Sequence, residues 1–167
     1  MKIKAQANKN DASIGELYVY GDIADTRFWS DDVSPNLVRE QTKNLPEDMQ
    51  ELHLYLNSYG GSISAGTAIK AELDRLRQKT GCKLITYNDG ACASMATVLY
   101  MMGDERHMMD GAMFLIHYPL TAVWGNSFEM EKTMEMLKAK NEEFVNLYMQ
   151  SYTGDEESLR QLLKDEV

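Results

Sequence analysis

Leu52, Leu54 and Leu56 interleave with Glu51, His53 and Tyr55, an alternation that predicts a β-strand with one apolar face. Upstream, Glu16-Leu17-Tyr18-Val19-Tyr20-Gly21 is a second β-rich run, stopped by glycine. Between the two, Ser34-Pro35 opens a helix with serine as N-cap and proline at the first helical position. It should run to about Leu45, ahead of Pro46. The period then changes from two to 3.6. Ala65, Ala68, Ile69, Leu73 and Leu76 recur at helical spacing from Ser64 to Thr80, and Gly81 supplies the stop. Lys83–Tyr87 reads as a further strand, and Ser94–Met102 as a short apolar helix closed by Gly103. Arg106–Met109 and Ala112–His117, flanking Asp110-Gly111, predict a strand pair. Residues 1–15 are polar and read as a loose lead-in. Strands alternating with helices predict an α/β fold with a mainly parallel sheet.

The C-terminal third has a different texture. Asn126 with Glu129 three residues on has the form of a capping box. Met130, Met134, Leu137, Asn141, Phe144 and Tyr148 follow in steps of four and three, a heptad seam with one polar position. Such a seam meets either a partner helix or the chain's own core. A last helix, Asp155–Glu166, carries Leu159, Leu162 and Leu163 on one face.

Composition narrows the function classes. The 167 residues suit one domain, read as a polar segment 1–15 followed by a folded domain 16–167, and 44% apolar residues can fill its core. Seventeen basic against 26 acidic side chains give a net charge of −9 with no basic cluster, which excludes a nucleic-acid partner. Cys82 and Cys92 form no Cys-x-x-Cys pattern, and neither shares a ligand-like spacing with His53, His107 or His117. No metal or other cofactor is expected. No stretch approaches the ~18 apolar residues of a membrane span, and no signal-peptide-like run follows Met1. A soluble, cytoplasmic protein with no membrane partner is the expectation.

Three segments carry candidate chemistry. Gly90-Ala91-Cys92-Ala93-Ser94-Met95-Ala96 sets one hydroxyl among small residues at a helix start. A serine there is ordinarily a cap. Ala91, Ala93 and Ala96, however, leave the hydroxyl uncrowded, and the Met95 N–H would face a developing oxyanion. Met113-Phe114-Leu115-Ile116-His117 ends an apolar run in an imidazole, and Pro119 turns the chain away. A histidine on an apolar strand is more often a satisfied core residue. Strand ends are nonetheless where α/β folds build sites, and an imidazole's ordinary titration near ~6.5 suits it to general-base work. His53 and His107, on polar surroundings, read as structural. Asn57-Ser58-Tyr59-Gly60-Gly61 ends a strand in two glycines, either a plain turn or a close backbone approach that only glycine permits. The segment lacks both the Lys-Ser/Thr ending of a P-loop and the three-glycine dinucleotide pattern. A nucleophile, a base and backbone donors are what acyl transfer by a serine hydrolase needs.

Taken in order, Leu54–Gly66, Gly90–Ala96 and Leu115–Leu120 resemble the strand-and-glycine-pair, nucleophile and histidine segments of the ClpP family of serine peptidases. The similarity runs from about Gly15 to the C-terminus. It implies the ClpP/crotonase-like fold, with repeated strand–helix units and a protruding long helix. It implies Ser94 as nucleophile, His117 as base, and the N–H groups of Gly61 and Met95 as the oxyanion hole. Counting from the Thr153-Gly154 turn puts the triad acid at Glu166, with Asp165 second; another register puts it past Val167. The helix from Asn126 would be the handle through which rings stack, implying heptameric rings, in stacked pairs, acting on polypeptide substrates. The sequence departs from the family at Tyr59, usually proline, and Tyr118, usually glutamine. A short N-terminal segment is closer to the ClpP-like proteases of phages and prophages, some of which mature capsids, and leaves docking to a AAA+ unfoldase open. The chain is shorter at its C-terminus than family members, as though truncated. Two alternatives stand beside the serine endopeptidase: a crotonase-type acyl-CoA enzyme, and a ring-forming subunit with a disabled triad.

Overall fold

The computed structural model describes residues 3–26, 29 and 32–166. The chain divides into two compact units, Met1–Phe114 and Leu115–Val167.

The first unit is a sheet with three helices. β1 (Ile3–Ala7) pairs antiparallel with β2 (Ile14–Tyr20), and β2, β3 (Glu51–Ser58), β4 (Lys83–Ala93) and β5 (Glu105–Met108) then run parallel in that order. Each parallel step crosses over through a helix, because a tight turn cannot return the chain to the same end of a sheet. The crossovers are α1 (Pro35–Thr42), α2 (Ile63–Thr80) and α3 (Met95–Met101). Ser34 caps α1, and Gly81 ends α2 in the left-handed region at φ 72°. Leu52, Leu54 and Leu56 are wholly buried on one face of β3, as their alternation predicts. The other face is wetter and carries an aromatic ladder across four strands. Tyr18, Tyr55, Tyr87 and His107 stack in turn, with ring centroids 4.6, 4.7 and 4.9 Å apart.

Three local expectations are corrected here. Residues 3–7, read as part of a loose lead-in, form β1, because Ile3 and Ala5 bury their side chains and β2 supplies the backbone partners; residues 1 and 2 lie outside the described set. The α1 helix stops at Thr42 rather than Leu45. The two strands around Asp110-Gly111 do not pair with each other: β5 and the short β6 (Met113–Leu115) both pair with β4. The turn itself is present, with Gly111 at φ 80° and the Ala112 N–H donating to Met109 O at 2.9 Å, as in a tight turn.

The second unit is a helix pair, α4 (Ser127–Met149) and α5 (Glu156–Asp165). The capping box forms as read. Asn126 Oδ1 accepts from the N–H groups of Phe128 and Glu129, and Glu129 Oε2 accepts the Asn126 N–H at 2.8 Å. Asp155 caps α5 through the Ser158 N–H, and Arg160 on α5 grips Glu142 on α4 with two hydrogen bonds of 2.9 and 2.6 Å. The heptad seam divides along its length: Phe144 and Tyr148 are buried, whereas Met130 and Met134 are about half exposed. Among the described residues no helix is long and apolar enough to cross a membrane.

Candidate active site

The site begins with a disturbance in β4. Its register on β3 is regular from Glu51↔Lys83 to Leu56↔Asn88 and resumes at Ser58↔Cys92, so Asn57 alone stands opposite Asp89, Gly90 and Ala91. Such a bulge orphans backbone N–H groups unless side chains take them. Asn88 Oδ1 accepts the Gly90 N–H at 3.2 Å, and Asn57 Oδ1 accepts the Ala91 N–H at 3.1 Å. The Tyr20 hydroxyl donates to Asp89, and partial burial together with that carboxylate raises the Tyr20 phenol above its ordinary pKa. Asn88 Nδ2 donates to Met113 O at 2.9 Å.

Beyond the bulge the strand ends at Ala93, and Ser94 makes the turn into α3 with φ 53° and ψ −129°. An L-residue held there costs about 1–3 kcal/mol, strain that accumulates at functional positions. The Ser94 side chain makes no cap hydrogen bond; the Ser94 carbonyl instead accepts from Thr97 N–H and Oγ1 at 3.0 and 2.5 Å. The hydroxyl is therefore not spent on the helix. Cys92, two residues earlier, is no rival nucleophile: burial pushes its thiol up to about 12, so it stays protonated at neutral pH.

The glycine pair lies against this turn. Gly60 sits at φ 91°, and a Cβ there would fall 2.6 Å from Ala93 O, 2.7 Å from Ser94 Cβ and 2.9 Å from Met95 N. Gly61, at φ 134°, leaves no room either, since a Cβ would run into the Ile23 carbonyl. Ile23 clamps the loop by donating its N–H to Gly60 O at 2.7 Å and accepting the Ser62 N–H at 2.8 Å. The Gly61 N–H has no partner among the described residues, and the Met95 N–H, at the first helical position, has no intrahelical acceptor. Asp25 accepts from the Ser64 and Ser62 hydroxyls, which hold its carboxyl below the usual carboxylate range. The structure thus sets Gly60 against Ser94 and Met95, with Gly61 next to it in the chain, so Gly60 is a position of close backbone approach as well as a turn.

The histidine belongs to the second unit. His117 Nδ1 is 2.7 Å from Tyr118 O. A carbonyl can only accept, so Nδ1 carries a proton, and in the neutral ring this tautomer leaves the lone pair on Nε2. Glu142, Glu156 and Tyr118 all hydrogen-bond Arg160 and raise its pKa, which ties the segment after His117 to α5. Neither predicted acid pairs with His117 among the described residues. Asp165 Oδ1 accepts from Gln161 Nε2 at 2.8 Å, and Glu166 is exposed in the left-handed region at φ 54°, where α5 ends. Among the described residues no group of three His, Cys, Asp or Glu side chains could hold a metal ion.

Sequence reading missed the side chains that brace the site: Tyr20, Asp25, Asn88 and the carboxamide of Asn57. One signal was available for the bulge, since Asn88-Asp89-Gly90 interrupts an apolar run with three strand-poor residues.

Comparison with known proteins decides the family. The family model described as Clp protease matches residues 12–167. The chain belongs to the Clp protease family. Relatives named "ATP-dependent Clp protease proteolytic subunit" include one from Porphyromonas gingivalis, 32% identical over 117 residues (67% of this chain, 51% of the relative). Another, from Bdellovibrio bacteriovorus, is 34% identical over 116 residues (65% of this chain, 52% of the relative). The chain spans about half the length of the curated relatives it matches. The mixed sheet-and-helix architecture is consistent with the Clp protease fold, and the family match does not favour the acyl-CoA alternative.

Proposed function

We propose that the chain is a serine endopeptidase of the Clp protease type that cleaves extended polypeptides. Ser94 is the nucleophile, His117 the general base through Nε2, and the N–H groups of Gly61 and Met95 the donors to the tetrahedral intermediate. One observation carries the reading: a serine hydroxyl free of capping duty, on a strained strand-to-helix turn set against Gly60, whose neighbour Gly61 has an N–H with no partner among the described residues. In the acylation step the Ser94 oxygen attacks the scissile carbonyl carbon while Nε2 takes its proton. Charge then develops on the carbonyl oxygen, where the two N–H groups act, and collapse expels the amine with the proton from Nε2. We assign the acid to Glu166, whose carboxylate has no hydrogen bond or ion pair among the described residues, with Asp165 second.

The proposal includes a homo-oligomer of ring form, assembled through α4. Its support is four exposed apolar side chains on the first half of that helix, Phe128, Met130, Met134 and Met136, of which Met130 and Met134 lie on the seam that a partner helix would cover. An ATPase partner and a cytoplasmic setting go with the relatives' printed name and with the composition.

A fluorophosphonate probe tests the centre directly. It should form a covalent adduct that maps to Ser94 and abolish cleavage of a fluorogenic peptide. An adduct on another residue, or none in a protein that still cleaves the peptide, overturns the assignment. Met134→Glu with Leu137→Glu should yield a smaller sedimenting species than the parent. A parent that is monomeric at micromolar concentration and active would overturn the ring.

A further inference from the structure

We propose that Asn57 is a positioning residue whose carboxamide sets Ser94 against the oxyanion donors by holding open the β4 bulge; this rests on the assignment of Ser94 as nucleophile. The argument starts from register. Between Leu56↔Asn88 and Ser58↔Cys92, β3 advances two residues while β4 advances four, and those extra residues decide where Ser94 emerges. Without them the parallel ladder would pair Ser58 with Gly90, and the turn at Ser94 would fall beyond the glycine loop instead of on it.

Asn57 is placed to fix this offset from the β3 side. Its backbone carbonyl accepts the Gly21 N–H at 3.0 Å, which anchors it between β2 and β3. Its Oδ1 accepts the Ala91 N–H at 3.1 Å and lies 3.2 Å from where a Gly90 Cβ would stand, so the carboxamide of this exposed residue lies over the bulge and pairs its backbone. Asn88 serves the neighbouring Gly90 N–H from the β4 side. Three residues after Asn57 comes Gly60, where a Cβ would run into Ser94 Cβ and Met95 N; three residues after Ala91 stands Ser94 itself. This hydrogen bond therefore joins, just ahead of the resumed Ser58↔Cys92 pairing, the two segments that supply nucleophile and donors three and four residues downstream: Ser94 and Met95 after Ala91, and Gly61 after Asn57. An acceptor oxygen at that place is what the bulge needs. A side chain of equal size without one would leave the Ala91 N–H unpaired and let the bulge slip.

The test compares Asn57→Leu, which keeps the size and loses the acceptor, with Asn57→Asp, which keeps the acceptor. Misplacement on the scale of an ångström costs roughly 10²-fold in rate. We expect Asn57→Leu to lower kcat for a fluorogenic peptide, and the rate of fluorophosphonate labelling, by about 10–100-fold with KM changed less than about threefold. Asn57→Asp should recover most of that loss. Equal activity in Asn57→Leu and the parent overturns the inference, as does an equal loss in both variants. If Asn57→Leu does not fold, residue-resolved amide exchange on the parent decides: Ala91 should be strongly protected and Gly61 not, and an Ala91 amide exchanging as fast as Gly61 overturns the clamp. Failure of the underlying assignment shows separately, as a parent protein that the probe does not label at Ser94.

Discussion

Two helices begin at a small polar residue, and the two beginnings are built differently. At Asn126 the side chain accepts from two N–H groups of α4, while Glu129 reaches back to close the box. At Ser94 the side chain caps nothing, and the backbone stands at φ 53°. The difference follows the surroundings of each helix. α4 is 23 residues long with its first half largely exposed, so its first turn relies on the cap that its sequence encodes. α3 is seven residues with Met95–Tyr100 all buried, so packing holds it whatever its first residue does. A hydroxyl can be withheld from capping where tertiary burial makes the cap unnecessary. A helix-start serine that does not cap is thus a sharper pointer to chemistry than any count of serines.

The contrast can be broken most strongly at Ser94. Ser94→Ala should lower peptide cleavage by about 10³-fold or more, yet leave the melting temperature within about 2 °C, because no structural hydrogen bond is removed. Next in size is Gly60→Ala. A methyl group 2.6–2.9 Å from Ala93 O, Ser94 Cβ and Met95 N, at φ 91°, should destabilise by about 2–5 kcal/mol, read by denaturant unfolding, with cleavage lost in the surviving folded fraction. The two helix starts should then respond with opposite signs. Ser94→Gly relieves the positive-φ strain and should stabilise by about 1 kcal/mol, whereas Asn126→Ala removes a working cap and should destabilise by about 1 kcal/mol. Paired thermal melts check both.

The smallest effect concerns alkaline pH. Burial pushes Cys92 and Tyr55 each up to about 12, and the folded protein therefore holds these protons more tightly than the unfolded chain does. The stabilisation is complete below the ordinary values of 9.0 and 10.0 and is lost as pH rises through them towards about 12. Melting temperature should fall across that window, and iodoacetamide at pH 8 should leave Cys92 unmodified in the folded protein.

Local pattern was sufficient for most of the elements and for the order in which they alternate. The two-residue period around Leu54, the 3.6-residue period around Ile69, the Ser34-Pro35 start and the Asn126 box all report nearest-neighbour geometry, and each formed where it was read. The glycine pair, the Ser94 segment and the His117 segment were legible for the same reason, as short strings of unusual residues. Other features depended on partners far along the chain. β1 exists because β2 supplies its hydrogen bonds, and β5 and β6 both chose β4 over each other. β4 extends through Asn88-Asp89-Gly90, which disfavour strand, because Asn57 and Tyr20 take up the polar groups of the bulge from 34 and 69 residues away. The seam of α4 was visible as a period, but which half of it would be buried was not, because burial depends on what the rest of the fold brings to each turn. Sequence by itself determined what each segment could become. Tertiary structure decided which backbone donors and acceptors met, since those pairings join residues that no local window contains.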